Sequence, residues 1–316
     1  MLSMDVVFTQ ILVILLYIAI GYVAGKCRLI NPDQRKYLTT ICTSLILPFT
    51  ILSAAGQSLD RRQMAELGLS FVMMLGLFIA TTFIAMRIQR RAPVPAKVTI
   101  ASLVTYPNCT FLGLPLCRAL FGDIAILYNA VAMVAFNVLF FTWQCSAFTG
   151  QRFRPRNLAT PGTIATLILL VMLFAGIQFP APVQTVVSST GSMITPLSLI
   201  IIGVMMSENR IALILKERRA FAVTLIRNLV IPLIAMLLLK LLPGDGATRL
   251  CQLVYLACPC ATLTSIYAIQ NDMEPELAAR SVLMSTLFFA GTLPLIIAIG
   301  MRFLGEREQR NWCFPD

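Results

Sequence analysis

Apolar stretches of ~20 residues, each long enough to cross ~30 Å of hydrocarbon as a helix, recur from Val7 to Phe303 with short polar interruptions. The pattern predicts ten spans, over residues 6–25, 36–56, 67–88, 97–120, 124–147, 160–178, 184–207, 219–241, 248–270 and 278–303. No stretch remains for a soluble domain of useful size. No Lys or Arg precedes Lys26, and Asp5 is present, so the start lacks the basic region of a cleaved signal peptide. The first apolar stretch is therefore expected to be a permanent span.

Composition strengthens this picture. Of 316 residues 58% are hydrophobic and only 12% charged, with a mean hydropathy of +0.83, against roughly 25% charged in soluble domains. A soluble fold is excluded, and the lipid bilayer is the expected surrounding. The net charge of +11 does not imply nucleic acid, because Lys and Arg sit in clusters between spans, where they act as orientation signals. Lys26, Arg28, Arg35 and Lys36 follow span 1; Arg87, Arg90, Arg91 and Lys97 follow span 3; Arg152, Arg154 and Arg156 follow span 5; Arg210, Lys216, Arg218 and Arg219 follow span 7. These loops are expected in the cytoplasm. The opposite loops hold Arg61 and Arg62, balanced by Asp60 and Glu66, then Arg118, Lys240 and Arg249. Both termini are then expected outside a multi-pass cell membrane. The tail arginines 302, 307 and 310 run mildly against this and are partly offset by Glu306, Glu308 and Asp316.

Three matches share an offset of 148: Pro48 with Pro196, Pro95 with Pro243, and Leu139-Phe140-Phe141 with Leu287-Phe288-Phe289. They favour a duplication. Because each half has an odd number of spans, the halves must be inverted, a common plan of secondary transporters. The expected fold is an all-α integral membrane protein of ten transmembrane helices, made of two inverted five-helix repeats with broken crossing helices 4 and 9. Residues 1–147 form the first repeat, 148–159 a short cytoplasmic linker, 160–303 the second repeat and 304–316 a tail.

Candidate chemistry gathers in those two spans. Span 4 holds Tyr106-Pro107-Asn108-Cys109-Thr110, then Gly113 and Pro115; span 9 holds Cys258-Pro259-Cys260-Ala261-Thr262, then Thr264-Ser265. Proline lacks the backbone donor and clashes with the preceding turn, so helix breaks are expected at Pro107, Pro115 and Pro259. Freed backbone groups must be buried in protein or line a wet cavity. With antiparallel spans, the N-termini of the two second half-helices approach the midplane from opposite directions, each carrying roughly half a positive charge. Such a pair suits a carboxylate.

The run from Pro107 to Pro115, continuing to Phe121-Gly122-Asp123, resembles the fourth span of the auxin efflux carrier family, with its Pro-Asn-Thr, Gly-x-Pro and aromatic-Gly elements. Pro259 through Tyr267, Asp272 and Pro275 to Ser285 is similar to the family's ninth span and following loop, and Pro32-Asp33-Gln34 matches its Pro-Asp-Gln. The resemblance covers nearly the whole chain. It implies a scaffold of spans 1, 2, 6 and 7, a transport domain of spans 3–5 and 8–10, elevator-like alternating access and a possible homodimer through the scaffold helices. It also implies movement of small organic acids: auxin in plants, dicarboxylates such as malate or malonate in bacteria. The linker at 148–159 is short where the plant carriers have a long loop, which fits the bacterial inner-membrane type and argues against auxin. Cys109 replaces the motif's Thr, and in span 9 only Pro259 aligns securely.

Asn108 offers amide donors to a carboxylate, and Thr110, Thr262, Thr264 and Ser265 offer hydroxyls. The competing reading is that they re-satisfy broken helix backbone. Asn137 in span 5 is either a site amide or an interhelical hydrogen-bonding group. Arg227, eight residues into span 8, is either an anion attractor or a cation snorkelling to the interface. The chain has no His, and no Asp or Glu is expected deep within a span, so a titratable proton relay is missing. Of nine cysteines, most lie in apolar spans, where Cys behaves as a small hydrophobe. Cys258 and Cys260 lack companion ligands, so no metal and no cofactor is expected. No nucleophile–base pair is evident, so an enzyme is not expected. The expectation is a carrier of a mono- or dicarboxylate driven by voltage. Sodium- or proton-coupled symport, including the related bile-acid type, and a non-transporting sensor are the alternatives.

Overall fold

A computed structural model describes residues 4–57, 61–208, 216–241 and 246–305. Asp60, Arg210, Pro243 and the tail from residue 306, all used above, lie outside them. The described chain is helical, without strands: α1 Met4–Lys26, α2 Pro32–Ala55, α3 Arg61–Ile88, α4 Val94–Thr105, α5 Cys109–Phe121, α6 Ile124–Thr149, α7 Pro161–Ala175, α8 Ala181–Ser207, α9 Arg218–Leu239, α10 Gly246–Ala257, α11 Thr262–Gln270 and α12 Pro275–Gly305. Seven of these are long and apolar enough to cross a membrane: α1, α2, α3, α6, α8, α9 and α12. Leucines, isoleucines and valines are abundant on their outer faces, and large apolar side chains such as Leu12, Leu16, Phe83, Val171, Phe174 and Leu237 are exposed, as expected of helices solvated by lipid rather than water.

Local signals set the helix ends. Asn31 caps α2: its side chain accepts from the Gln34 amide at 2.9 Å while the Gln34 side chain accepts from the Asn31 amide at 2.9 Å. This starts α2 four residues before the apolar pattern does. Helix α7 is only 15 residues long, or about 22 Å. Gly176, left-handed at φ 65°, ends it three residues short of the predicted boundary.

Pro115 does not break its helix, contrary to expectation. The preceding turn, Cys109–Gly113, is a wide π turn, and Pro115 enters the α-helical turns that follow. The same device precedes Pro48 (Cys42–Ile46) and Pro232 (Ile226–Val230). A widened turn keeps the proline ring clear of the carbonyl it would strike in a regular helix.

Two pairs of helices make backbone-close seams. On α1 and α8, a Cβ at Gly21 would run into the carbonyl of Ile200, one at Gly203 into that of Ile18, and one at Gly25 into the hydroxyl of Ser207. On α2 and α8, Gly191 lies against the backbone of Thr50, whose hydroxyl donates to the Gly191 carbonyl at 2.8 Å. In a membrane, close packing of small residues holds helices together where the hydrophobic effect cannot. Elsewhere α2 packs on α7, α3 on α4 and α6, and α9 on α10 and α12.

The offset of 148 does not hold throughout. Helices α4 and α10 are both 12 residues long, and their first and last residues are each 152 apart. The last residues of α3 and α9, Ile88 and Leu239, are already 151 apart, so most of the added residues precede the α9–α10 connection.

Candidate functional site: the crossing of two broken helices

The chain leaves α4 at Thr105 and resumes helix at Cys109; it leaves α10 at Ala257 and resumes at Thr262. Both interruptions contain the expected prolines, Pro107 and Pro259. The two extended segments lie against each other in an antiparallel bridge. The Asn108 amide donates to the Pro259 carbonyl at 2.8 Å, and the Ala261 amide donates to the Tyr106 carbonyl at 2.9 Å. Each break thus satisfies part of the backbone that the other has freed, a requirement inside a bilayer. The Cys260 amide donates to Ser285 Oγ on α12 at 3.1 Å.

Side chains reinforce the crossing. Asn108 is 4% exposed, and its Nδ2 donates to Thr262 Oγ1 at 3.1 Å. Thr264 shares a hydrogen bond with Ser102 on α4 at 2.8 Å. Thr262, Thr264 and Ser265 are buried in the first turn of α11, and Thr110 is half-buried in the first turn of α5. Thr110 approaches Met133 Sδ at 4.0 Å. The structure therefore brings Asn108, Pro259, Thr262 and Thr264 together, with Ser265 and Thr110 alongside in the adjoining helix starts. Behind them Tyr106 stacks edge-on against Phe136 and Phe140, with centroids 5.0 and 5.2 Å away.

Asn137 is elsewhere: its Nδ2 donates to Thr163 Oγ1 at 2.8 Å and to Thr160 Oγ1 at 3.4 Å, joining α6 to the start of α7. Arg227 is at the crossing, and it does not snorkel. It is 0% exposed, within the π turn Ile226–Val230 of α9. Nε donates to the Cys258 carbonyl at 3.0 Å, Nη2 to Leu256 at 2.6 Å, and Nη1 to Val104 and Thr105 at 3.2 and 3.3 Å. These carbonyls end α4 and α10, where the helix dipole is negative and the last carbonyls have no intrahelical donor. The guanidinium caps both helices at once. The neighbouring Asn228 donates to the Ser285 carbonyl at 2.8 Å.

Two features escape sequence reasoning. Ser102, which completes the Thr264 contact, carries no spacing signal. Glu66, expected as a loop charge, is in α3 and 7% exposed, the one buried carboxylate among the described residues. It accepts from Arg62 Nε at 3.0 Å and from Tyr128 Oη at 3.5 Å. Nearby Gln252 on α10 donates to Ser70 Oγ at 2.6 Å.

The chain matches the membrane transport protein family over residues 6–157 and again over 152–297. An uncharacterized transporter of Methanothermobacter thermautotrophicus is 22% identical over 295 residues, covering 90% of this chain and 95% of that protein. An uncharacterized transporter of Methanocaldococcus jannaschii is 22% identical over 311 residues, covering 91% and 96%. With matches that together run from residue 6 to 297, the chain belongs to the membrane transport protein family, that of the auxin efflux carriers.

Proposed function

We propose that this transporter moves a small organic anion, a mono- or dicarboxylate, through the crossing of the broken helices. The observation that carries the reading is the convergence there of two helix starts, α5 and α11, with the Asn108 amide and the Thr262 and Thr264 hydroxyls beside them. Helix N-termini supply positive potential and unpaired amides, and amide and hydroxyl groups supply further donors. Asn108, Thr110, Thr262, Thr264 and Ser265 form the binding surface, with Pro259 shaping it. Asn137 contributes at the junction of α6 and α7.

Counting each broken pair as one crossing gives ten spans, arranged as inverted repeats. Matching neighbours support this arrangement: α3 packs on α6 as α9 packs on α12, α3 on α4 as α9 on α10, and α1 on α8 as α7 on α2. The glycine seams join α1, α2 and α8, and α7 packs on α2; these four helices form a scaffold, through which two copies pair. Helices α3–α6 and α9–α12 form the moving part. An apolar cavity of about 290 Å³ between α3, α6 and α7, lined by Met64, Phe71, Val131, Val134, Leu170 and Phe174, supports motion at that boundary because it offers few polar contacts to break. Both termini face outside. A cysteine replacing Phe153 is then labelled only from the cytoplasm; labelling from outside overturns the orientation.

The test of the function is counterflow in proteoliposomes against a panel of mono- and dicarboxylates, with voltage, sodium and pH varied separately. Saturable, voltage-driven exchange of at least one acid is expected, since a monovalent anion leaving a negative interior gains about 2.3 kcal/mol per 100 mV. Exchange of none overturns the reading. The buried Glu66 favours one rival, proton coupling, in which Glu66→Gln would abolish the response to a pH gradient.

A further inference from the structure

In carriers built on broken helices, the C-terminal ends of half-helices and the unwound carbonyls beside them are where a coupling cation binds. This chain brings two such ends together, and the space between them is filled. The carbonyls of Val104 and Thr105 from α4, of Leu256 from α10 and of Cys258 just beyond it all accept from one guanidinium. The nearest described acid groups offer it no ion pair, as the described salt bridges all lie elsewhere. A fully buried cation without a carboxylate partner is costly unless its surroundings are strongly electronegative. Four carbonyls at two negative helix ends meet that requirement.

We propose that Arg227 is a tethered cation occupying the seat in which an ion-coupled carrier would bind a free monovalent ion. The side chain performs two tasks that a free ion would perform. It neutralises the two converging negative ends, leaving the helix starts on α5 and α11 to act on an anion. It also links α4 to α10, so that the two broken helices move as one body, independently of external sodium. Arg227 is a positioning residue: its contacts are to backbone, and it acts on the anion through the placement of Asn108 and Thr262. Depth in the membrane alone would suit direct attraction of substrate, but its donors are directed at the other pole of the crossing.

This deepens the uncoupled reading above, but its test reads stability rather than anion flux, so failure of one is distinguishable from failure of the other. Purified full-length protein is melted in choline, sodium, lithium or low guanidinium chloride. Wild type is expected to melt at the same temperature in all four. Arg227→Ala should melt several degrees lower in choline and recover saturably with guanidinium or a small alkali cation. A free cation at ten times its dissociation constant raises the folded-to-unfolded ratio roughly elevenfold. A merely structural arginine would show the loss without the recovery. An Arg227→Ala variant as stable as wild type overturns the proposal, and so does a destabilised variant that no cation restores beyond its effect on wild type. Should the alanine variant not fold, Arg227→Lys and Arg227→Met are compared by folded yield. Lysine should retain clearly more than methionine, and equal yields overturn the proposal.

Discussion

At the first break Tyr106, Pro107 and Asn108 carry the chain from α4 to α5; at the second Cys258, Pro259, Cys260 and Ala261 carry it from α10 to α11. The backbones answer each other through two hydrogen bonds, so either break depends on its partner. The side chains do not correspond. Asn108 presents an amide that reaches across to Thr262, whereas the buried Cys260 opposite Pro107 contributes its backbone amide to Ser285. The first break therefore supplies polar side-chain chemistry, and the second supplies hydroxyls only from the helix that follows it. Near-symmetry of backbone is enough to build the crossing, but the polar side chains that the proposed ligand would meet are unequal between the halves.

The largest effect expected from this inequality is that of Asn108→Asp. It removes two donors and puts a negative charge where the proposed anion binds, so apparent affinity in counterflow should fall by on the order of a hundredfold, about 2.7 kcal/mol. An Asn108→Asp variant transporting as well as wild type would place the ligand elsewhere. Asn108→Ala removes the donors without adding charge. Roughly tenfold weaker affinity is expected, about 1.4 kcal/mol, with an unchanged melting temperature to within a few degrees. If instead the protein is lost, the amide is part of the fold.

Asn137→Ala tests the contact between α6 and α7. Loss of one membrane hydrogen bond averages ~0.6 kcal/mol, so a change of about threefold in maximal rate is expected at unaltered affinity. A shift in affinity alone would bring Asn137 to the ligand. The smallest effect belongs to Cys260→Ala, which keeps the backbone amide that bonds Ser285: transport should stay within about twofold of wild type. If it matches the loss seen with Asn108→Ala, the two breaks are equivalent and the inequality disappears.

Much of this is legible along the chain. Hydropathy locates the long helices because a bilayer demands ~20 apolar residues per crossing. Pro107 and Pro259 locate the breaks because proline cannot donate. Chain position alone does not reveal how each helix is rotated. Arg227 sits nine residues into α9, within reach of the interface by length, yet its π turn directs it inward onto carbonyls. Polarity assigns Glu66 to a loop, but α3 begins five residues earlier, at Arg61, and turns it toward Tyr128. Pro115 reads as a third break because the compensating π turn leaves no mark in the sequence beyond Gly113. The Ser102–Thr264 pair links residues 162 apart, and only the packed structure brings them together.

The glycine seam of α1 and α8 also bears on biogenesis. Gly21 and Gly203 are 182 residues apart, and ribosomes add about 5–20 residues per second. Helix α1 must therefore wait roughly 10–40 s before the surface that fits its notch has been synthesised. During that interval the notch faces lipid or another helix of the unfinished chain. Replacing Gly21 or Gly203 with a larger residue would fill the notch before its partner arrives, so the damage should appear as chains degraded during insertion rather than as completed carriers with slow turnover.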